Sequence, residues 1–505
     1  MRQQLLYEWA LLIVFSLLAY FIQTHLYLHK DVAIITHTAA ALLAGETYAK
    51  NIFEPNPPMI FYLSMPAIVI AKFISIPVLS AMRIYVITLA AISIACSVFM
   101  IKKLFSHNIF LIYLLAYVMG YVLLFLPAQH FAQREHFLLI LILPYLFLTA
   151  LRLEKKQING FFAAGIGLAA GIGFAIKPHF LSAFLLIELY VMLQKRNLLS
   201  WVRVETLCIL GVFAAYITAI FLFYPAYLHD VLPLWMTYYA AITHPFSEIL
   251  FYPALLYCFA VIIFYFMTRH LNECKIICQL FLMALIGFIF SYLAPRVAWY
   301  YHILPALGIA CLLAALILGQ IAPSMIKKSQ TKYKTFSLTA MISIVYLVPF
   351  AISINLFIIA AYYFNSETDL SRLTQFFAKQ KRPTTFFLLA MTHDSTVVEF
   401  YAPTHYVGNF PILIWEYNQL ILHHFPSEKA YRYESNVPHL IDNISQELNE
   451  KKPEFVIVNV PSSIHYLGTE VNYIKKYSRY KSFQTAWLAY HYLQRIGEYT
   501  IYERI

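Results

Sequence analysis

Before residue 364 the chain carries 11 Asp/Glu against 22 Lys/Arg, and after it 14 of each. Carboxylates are therefore the scarce resource for chemistry in the first part. Asp31, Glu46, Glu54, Glu135, Asp230 and Glu248 fall in polar segments between apolar runs. Asp31 follows the first apolar run directly, where the end of a rigid helix would fix it. A carboxylate held there can take a proton from an acceptor hydroxyl, an assistance typically worth about 10²–10⁴-fold, or bind a metal. The simpler reading is an interfacial acid neutralised by Lys30. Glu135 sits in the run Gln133-Arg134-Glu135-His136 and could be a second acid or a metal ligand. Arg134 has the planar fork that suits phosphate, with His136 beside it. The alternative is a local Arg-Glu pair at a helix start, where an acid suits the dipole. Lys177 and His179 flank Pro178, and Arg296 and His302 flank Trp299-Tyr300-Tyr301. Singly, such cations snorkel to headgroups. Together with Arg134 they could hold a lipid-linked phosphate leaving group and stabilise its developing charge. Glu188, inside an apolar run, reads as a buried hydrogen-bond partner.

The elements that must position these residues are membrane helices. The 505 residues are 61% hydrophobic and 12% charged, about half the charge of an ordinary soluble chain. Apolar spans are expected at roughly 7–28, 80–101, 108–126, 137–153, 158–176, 179–195, 205–225, 251–268, 277–294, 302–322 and 336–363. Arg2 followed by an apolar run without a small-residue cleavage site reads as a retained anchor. The stretch 58–77 begins Pro57-Pro58 and is interrupted by Pro66, Lys72 and Pro77. If it does not cross, the cytoplasmic segments gather 15 basic residues, among them Lys102, Lys103, Arg152, Lys327, Lys328, Lys332 and Lys334. If it crosses, every later cluster falls outside. The positive-inside rule therefore favours about 11 transmembrane helices plus a juxtamembrane helix at 58–77. A non-spanning segment at membrane depth must be buried in protein or line a cavity, so 58–77 is a candidate cavity wall. The alternative is a twelfth span. The domains expected are a transmembrane domain over 1–363, with its first outer loop at 29–57, and a small α/β extracytoplasmic domain over 364–505. In the latter, Ser366 and Asp369 suggest a capping box before a helix to about Gln380. Strands are expected at 384–391, 454–460 and 498–505, with a helix over 439–453.

Several classes lose support. The excess of basic residues lies wholly before residue 364, which suits lipid headgroups rather than nucleic acid. The six cysteines lie in or beside apolar spans and imply no disulfide framework. No Gly-rich loop serves a nucleotide site.

Asp31 after the first span, the run Ala40-Ala41-Leu42-Leu43-Ala44-Gly45 to Tyr48, Glu54-Pro55-Asn56-Pro57-Pro58 and an apolar helix that does not cross resemble the GT-C glycosyltransferases. These include the protein O-mannosyltransferases and the lipid A aminoarabinose transferases. Gln133–His136 leading into Leu143-Pro144-Tyr145, Lys177-Pro178 and Tyr301-His302 with Pro305 are similar to a bacterial subgroup. The positive-inside count puts the N-terminus in the cytoplasm. The resemblance implies a GT-C-like fold and inverting transfer of a sugar from a polyprenyl-phosphate donor to a glycolipid, polysaccharide or protein acceptor on the outer face of a bacterial inner membrane. It implies Asp31 as general base and Glu135 as second acid. Arg134, His136, Lys177, His179, Arg296 and His302 would bind the lipid phosphate, and Glu54, Asn56 and Pro57 would shape the loop. Family members often pair the loop acid with a second one directly after it. Val32 stands there in this chain, so a divalent cation at Asp31 or Glu135 is left open. Two other classes stay open from the residues alone. One is a transporter or flippase of lipid-linked glycans, which would show internal repeats and deep charges. The other is an O-antigen ligase or polymerase-like enzyme working through cations without a carboxylate base.

Overall fold

The computed structural model describes residues 2–239, 244–328, 349–358, 368–410, 412–413, 415–416, 437–459 and 472–505. The helices in chain order are α1 (Arg2–Thr24), α2 (Lys30–Leu43), α3 (Met59–Ile74), α4 (Val78–Leu104), α5 (Ile109–Leu124), α6 (Arg134–Leu153), α7 (Gly160–Ala175), α8 (Leu181–Lys195), α9 (Val204–Phe223), α10 (Leu232–Tyr239), α11 (Phe246–Leu250), α12 (Pro253–Thr268), α13 (Lys275–Leu293) and α14 (Tyr300–Lys328). Next come α15 (Pro349–Ile358), α16 (Asp369–Ala378) and α17 (Asp394–Tyr401). Lys332, Lys334, Ser366 and most of the span expected at 336–363 lie outside the described residues. The chain divides into two compact units. The first comprises Met1–Tyr27, Pro57–Ala219 and Thr243–Ala361, and the second Leu28–Asn56, Ile220–Ile242 and Tyr362–Ile505.

The first unit is helical. Among the described residues five helices are long and apolar enough to cross a membrane: α4, α6, α9, α13 and Tyr300–Ile321 of α14. Six shorter apolar helices accompany them, α3 included. Phe161 is 91% and Phe73 88% exposed, surfaces that suit lipid rather than water. The chain is an integral membrane protein. At 16 residues α3 is about 24 Å long, short of the roughly 30 Å hydrocarbon core. α5, α7 and α12 have the same length, so length does not set α3 apart. The spanning window of α14 is wholly buried and makes this helix the centre of the unit, whereas that of α9 is only 11% buried. Glycine allows the tightest contacts. A Cβ on Gly287 would lie 2.4 Å from Ala183 Cα, and in this space the Ser182 hydroxyl donates to Gly287 O at 2.7 Å. Membrane helices associate through such small-residue contacts because lipid offers no hydrophobic drive between them.

Two local expectations differ. α1 stops at Thr24, short of residue 28, and the expected loop 29–57 contains the 14-residue helix α2. Ala39, Ala40, Ala41, Leu42 and Leu43 are strong helix formers, but Thr36, His37 and Thr38 interrupt the apolar pattern and disguise the element.

The second unit is built on a five-stranded sheet in the order β2-β1-β3-β5-β4. Its strands are β1 (Thr384–Leu389), β2 (Thr404–Tyr406), β3 (Phe455–Asn459), β4 (Tyr490–Ile496) and β5 (Tyr499–Arg504). β1 runs parallel to β2 and β3, and β5 antiparallel to β3 and β4. β3 is buried throughout and β1 nearly so, as central strands covered on both faces must be. Phe377, Phe386, Phe455, Ile457 and Ile501 form the core. α16 is capped by Thr368, whose hydroxyl accepts from Ser371 N at 3.1 Å. Gly497 turns β4 into β5 with φ +55°. A Cβ there would strike the Asp369 carboxylate, which accepts from Glu498 N at 3.0 Å.

Buried charges staple the first unit at one end of α6. Arg152 donates twice to Glu205, each at 3.1 Å. Arg203 lies 3.5 Å from Glu205 and donates to Glu188, which also accepts from the Tyr145 hydroxyl. Glu205 is fully buried. Removing it takes away the carboxylate of Arg152 and leaves Arg203 with Glu188, and breaking such a buried pair typically costs about 3–5 kcal/mol. Glu205→Ala should lower the thermal unfolding midpoint of the purified protein strongly. An unchanged midpoint would show that the staple carries no stability.

Candidate functional site

In the first unit, residues far apart in sequence meet around one buried carboxylate. Glu135 lies in the first turn of α6 and is fully buried. Lys177, in the connection after α7, brings its Nζ to 2.6 Å from Glu135 Oε1 and is itself only 8% exposed. His302, in the first turn of α14, places Nε2 4.0 Å from the same oxygen. Tyr301 sits between the cations: the Arg134 guanidinium lies 5.4 Å and the Lys177 ammonium 5.8 Å from its ring centroid. His130 packs against Tyr300 and Tyr301. Arg134, at 7% exposure, completes a cluster of two cations and one anion in a low-dielectric setting. Guanidinium and ammonium groups are the side chains that suit a phosphate.

The loop leading into α6 is strained. Ala128 and Ala132 adopt φ of +48° and +65°, a left-handed conformation costing about 1–3 kcal/mol per non-glycine residue that persists only where the surroundings enforce it. His136 is part of that enforcement. Its Nδ1 accepts from Ala132 N at 3.1 Å and its Nε2 donates to Leu123 O at 2.7 Å. Both ring nitrogens are thereby committed to backbone, which leaves none for a phosphate, so the expected ligand role does not fit this geometry. His179 is half-buried beside Phe180, within electrostatic reach of Lys177 and Arg134. Arg296 is exposed; its carbonyl accepts from His244 N at 3.0 Å.

Asp31 belongs to the second unit, in the first turn of α2. Its backbone N–H donates to the capping His29 Nδ1 at 3.2 Å, and that nitrogen lies 3.9 Å from the Asp31 carboxylate. A carboxylate in a first turn faces the positive end of the helix dipole. Glu54 is buried and accepts from Asn56 N at 3.3 Å and from the Asn56 amide, closing the turn that precedes Pro57. Tyr227 donates to Pro55 O at 3.0 Å. Among the described residues no trio of His, Cys, Asp or Glu is arranged to hold a metal ion.

Sequence reasoning missed what holds α2. Leu28 N donates to the Tyr401 hydroxyl at 3.0 Å. Further along, Glu399 of α17 bridges two imidazoles, with His37 Nδ1 at 2.8 Å and His405 Nδ1 at 2.5 Å. No periodic signal links positions 362 residues apart. The only hint is a histidine within an Ala-rich helix.

No family model matches the chain, and no curated protein matches it. Solved structures do. ArnT from Cupriavidus metallidurans bound to undecaprenyl phosphate aligns with a TM-score of 0.59 at 11% identity, covering 98% of each chain. The apo state of the same protein aligns at 0.57 and 10%, covering 98% of this chain and 97% of that one. The shared fold extends over essentially the whole length of both chains.

The clamp on α2 titrates with a definite sign. Burial would raise the Glu399 carboxyl, but hydrogen bonds from His37 and His405, reinforced by their charges, hold it below the ordinary 4.5. The bond to Glu399, against burial, holds His405 above the ordinary 6.5. Glu399 therefore contributes stability that is present above about pH 4.5 and lost as pH falls further. His405 contributes stability that is complete below about pH 6.5 and lost as pH rises through its raised value. The destabilisation by Glu399→Gln should be greatest between these pH values and shrink on either side, read as the difference in unfolding midpoint between variant and wild type across pH. A difference independent of pH would remove the ionic part of the clamp.

Proposed function

We propose that the protein is a membrane glycosyltransferase that moves a sugar from a polyprenyl-phosphate donor to a cell-envelope acceptor, with inversion at the sugar carbon. The observation that carries this reading is the whole-length likeness to ArnT, one of whose structures holds undecaprenyl phosphate. The buried cations at Lys177 and Arg134 support it independently, since a phosphate leaving group needs such charges. In this reading the acceptor hydroxyl oxygen attacks the anomeric carbon, Asp31 takes the hydroxyl proton, and the bond to phosphate breaks. The polyprenyl phosphate departs with the extra negative charge. Arg134, Lys177 and His302 stabilise that charge, and Glu135 fixes the Lys177 ammonium. The site is read as lying on the outer face of the inner membrane, with residues 364–505 extracytoplasmic, about 11 spans and a non-crossing 58–77.

A panel of undecaprenyl-phosphate sugars, offered to the protein in nanodiscs together with envelope lipid extract, tests this by release of undecaprenyl phosphate and labelling of acceptor. Asp31→Asn should lower turnover by about 10²–10⁴-fold, the usual worth of a general base, with folding unchanged. Lys177→Arg should lower kcat more than it raises the donor KM, because the ammonium stabilises charge that develops as the phosphate departs. Full turnover in Asp31→Asn would remove that residue from the mechanism. Absence of transfer from every donor would overturn the reading.

A further inference from the structure

The second unit carries an open pocket of about 420 Å³ that the proposed transfer steps do not use. That volume lies within the roughly 300–1,000 Å³ of small-molecule sites. One wall is α2 and its C-cap, where Ala40, Ala41 and Ala44 line the space and their short side chains leave it open. The chain after α2 supplies Glu46, Asn51 and Phe53, and the sheet side supplies His405, Asn409 and Lys451. His37 and Glu399 also line it.

The polar groups are held in place by bonds made outside the ligand space. Lys451 Nζ donates to Val407 O at 2.7 Å, and Asn409 is tied through its side chain to Lys50 O at 2.9 Å and through its backbone N–H to Glu447 at 2.8 Å. Phe53 packs on Phe410 with ring centroids 4.4 Å apart. The two imidazoles donate through Nδ1 to Glu399, because a carboxylate only accepts; in its neutral form each ring then presents Nε2 as an acceptor.

This lining selects a class of ligand. Three carboxylates, Glu46, Glu54 and Glu399, would repel a phosphate or a nucleotide. An alkyl chain would desolvate carboxylates, amides and an ammonium without replacing their hydrogen bonds. A hydroxyl both donates and accepts. A cluster of hydroxyls can therefore satisfy carboxylate and imidazole acceptors together with amide and ammonium donors, while the C–H face of a sugar ring covers Phe53 and the alanines. We propose that this pocket is a saccharide-binding site for one or two neutral sugar rings, formed by α2, the segment 46–54 and the sheet domain. The inference does not rest on the transfer chemistry and goes beyond it.

The test uses the full chain in nanodiscs free of alkyl-glycoside detergent. The probes are lactose, chitobiose, methyl mannoside and a neutral tripeptide, read by saturation-transfer NMR and calorimetry. At least one saccharide should bind with millimolar affinity and the tripeptide should not. Ala44→Phe, which fills the space from the exposed C-cap of α2, should weaken that saccharide by about tenfold or more. Glu46→Gln, at an exposed side chain, should weaken it several-fold. Asp31→Asn should leave it unchanged, which separates this claim from the proposed transfer. The proposal is overturned if no saccharide binds, if only the tripeptide binds, or if Glu46→Gln and Ala44→Phe both bind as the wild type does.

Discussion

The buried pair Glu135–Lys177 is the constraint on which the first unit turns. A carboxylate and an ammonium taken out of water each carry a desolvation penalty of several kcal/mol, repaid only while they face each other closely. At 2.6 Å the pair ties the start of α6 to the connection after α7, and His302 adds the start of α14. Three helix ends are therefore fixed by one carboxylate. The left-handed Ala128 and Ala132 and the doubly bonded His136 shape the loop so that Glu135 arrives there. Arg134, its neighbour in sequence, is turned onto Tyr301 instead. The cluster so formed holds an ammonium and a guanidinium beside one carboxylate, where a phosphate is proposed to bind.

The second unit solves a related problem with a different charge pattern. α2 carries Asp31 in its first turn and is too short to be stable alone in water. It is held instead by tertiary bonds, from Leu28 to Tyr401 and from His37 to Glu399. Glu447 adds a nearby titrating group: burial pushes it up to about 7 against the opposing pull of Lys451 and of the Asn409 N–H. The elements around α2 thus respond to pH through Glu399, His405 and Glu447, at positions that the proposed transfer chemistry does not use.

The sequence made legible what depends on local pattern. Apolar runs gave the membrane helices, and the continuous apolar stretches at 384–391 and 454–460 gave β1 and β3. The amphipathic period gave the helix Val437–Lys451. β4 escaped because its sequence, YHYLQRI, is mostly exposed and polar, and β2 because it has three residues. At the candidate site, Arg134, Glu135, Lys177 and His302 were legible as scarce charges beside aromatic residues, and the structure brings them together. His136 was not legible in its actual role. One position along a helix turns a side chain by about 100°, enough to direct its ring at the backbone of Ala132 and Leu123. The partners of His37 lie 362 residues away or more, beyond any local rule.

Binding of undecaprenyl phosphate against undecaprenol, measured by native mass spectrometry, tests the central claim most directly. The two ligands differ only in the phosphate. The wild type should prefer the phosphate by about tenfold or more, equivalent to about 1.4 kcal/mol. Arg134→Gln removes one of the two cations proposed to hold the phosphate and leaves the Glu135–Lys177 pair intact; it should lose most of that preference while the chain is still bound. An undiminished preference in a folded Arg134→Gln variant would contradict the assignment of this cluster to the lipid phosphate.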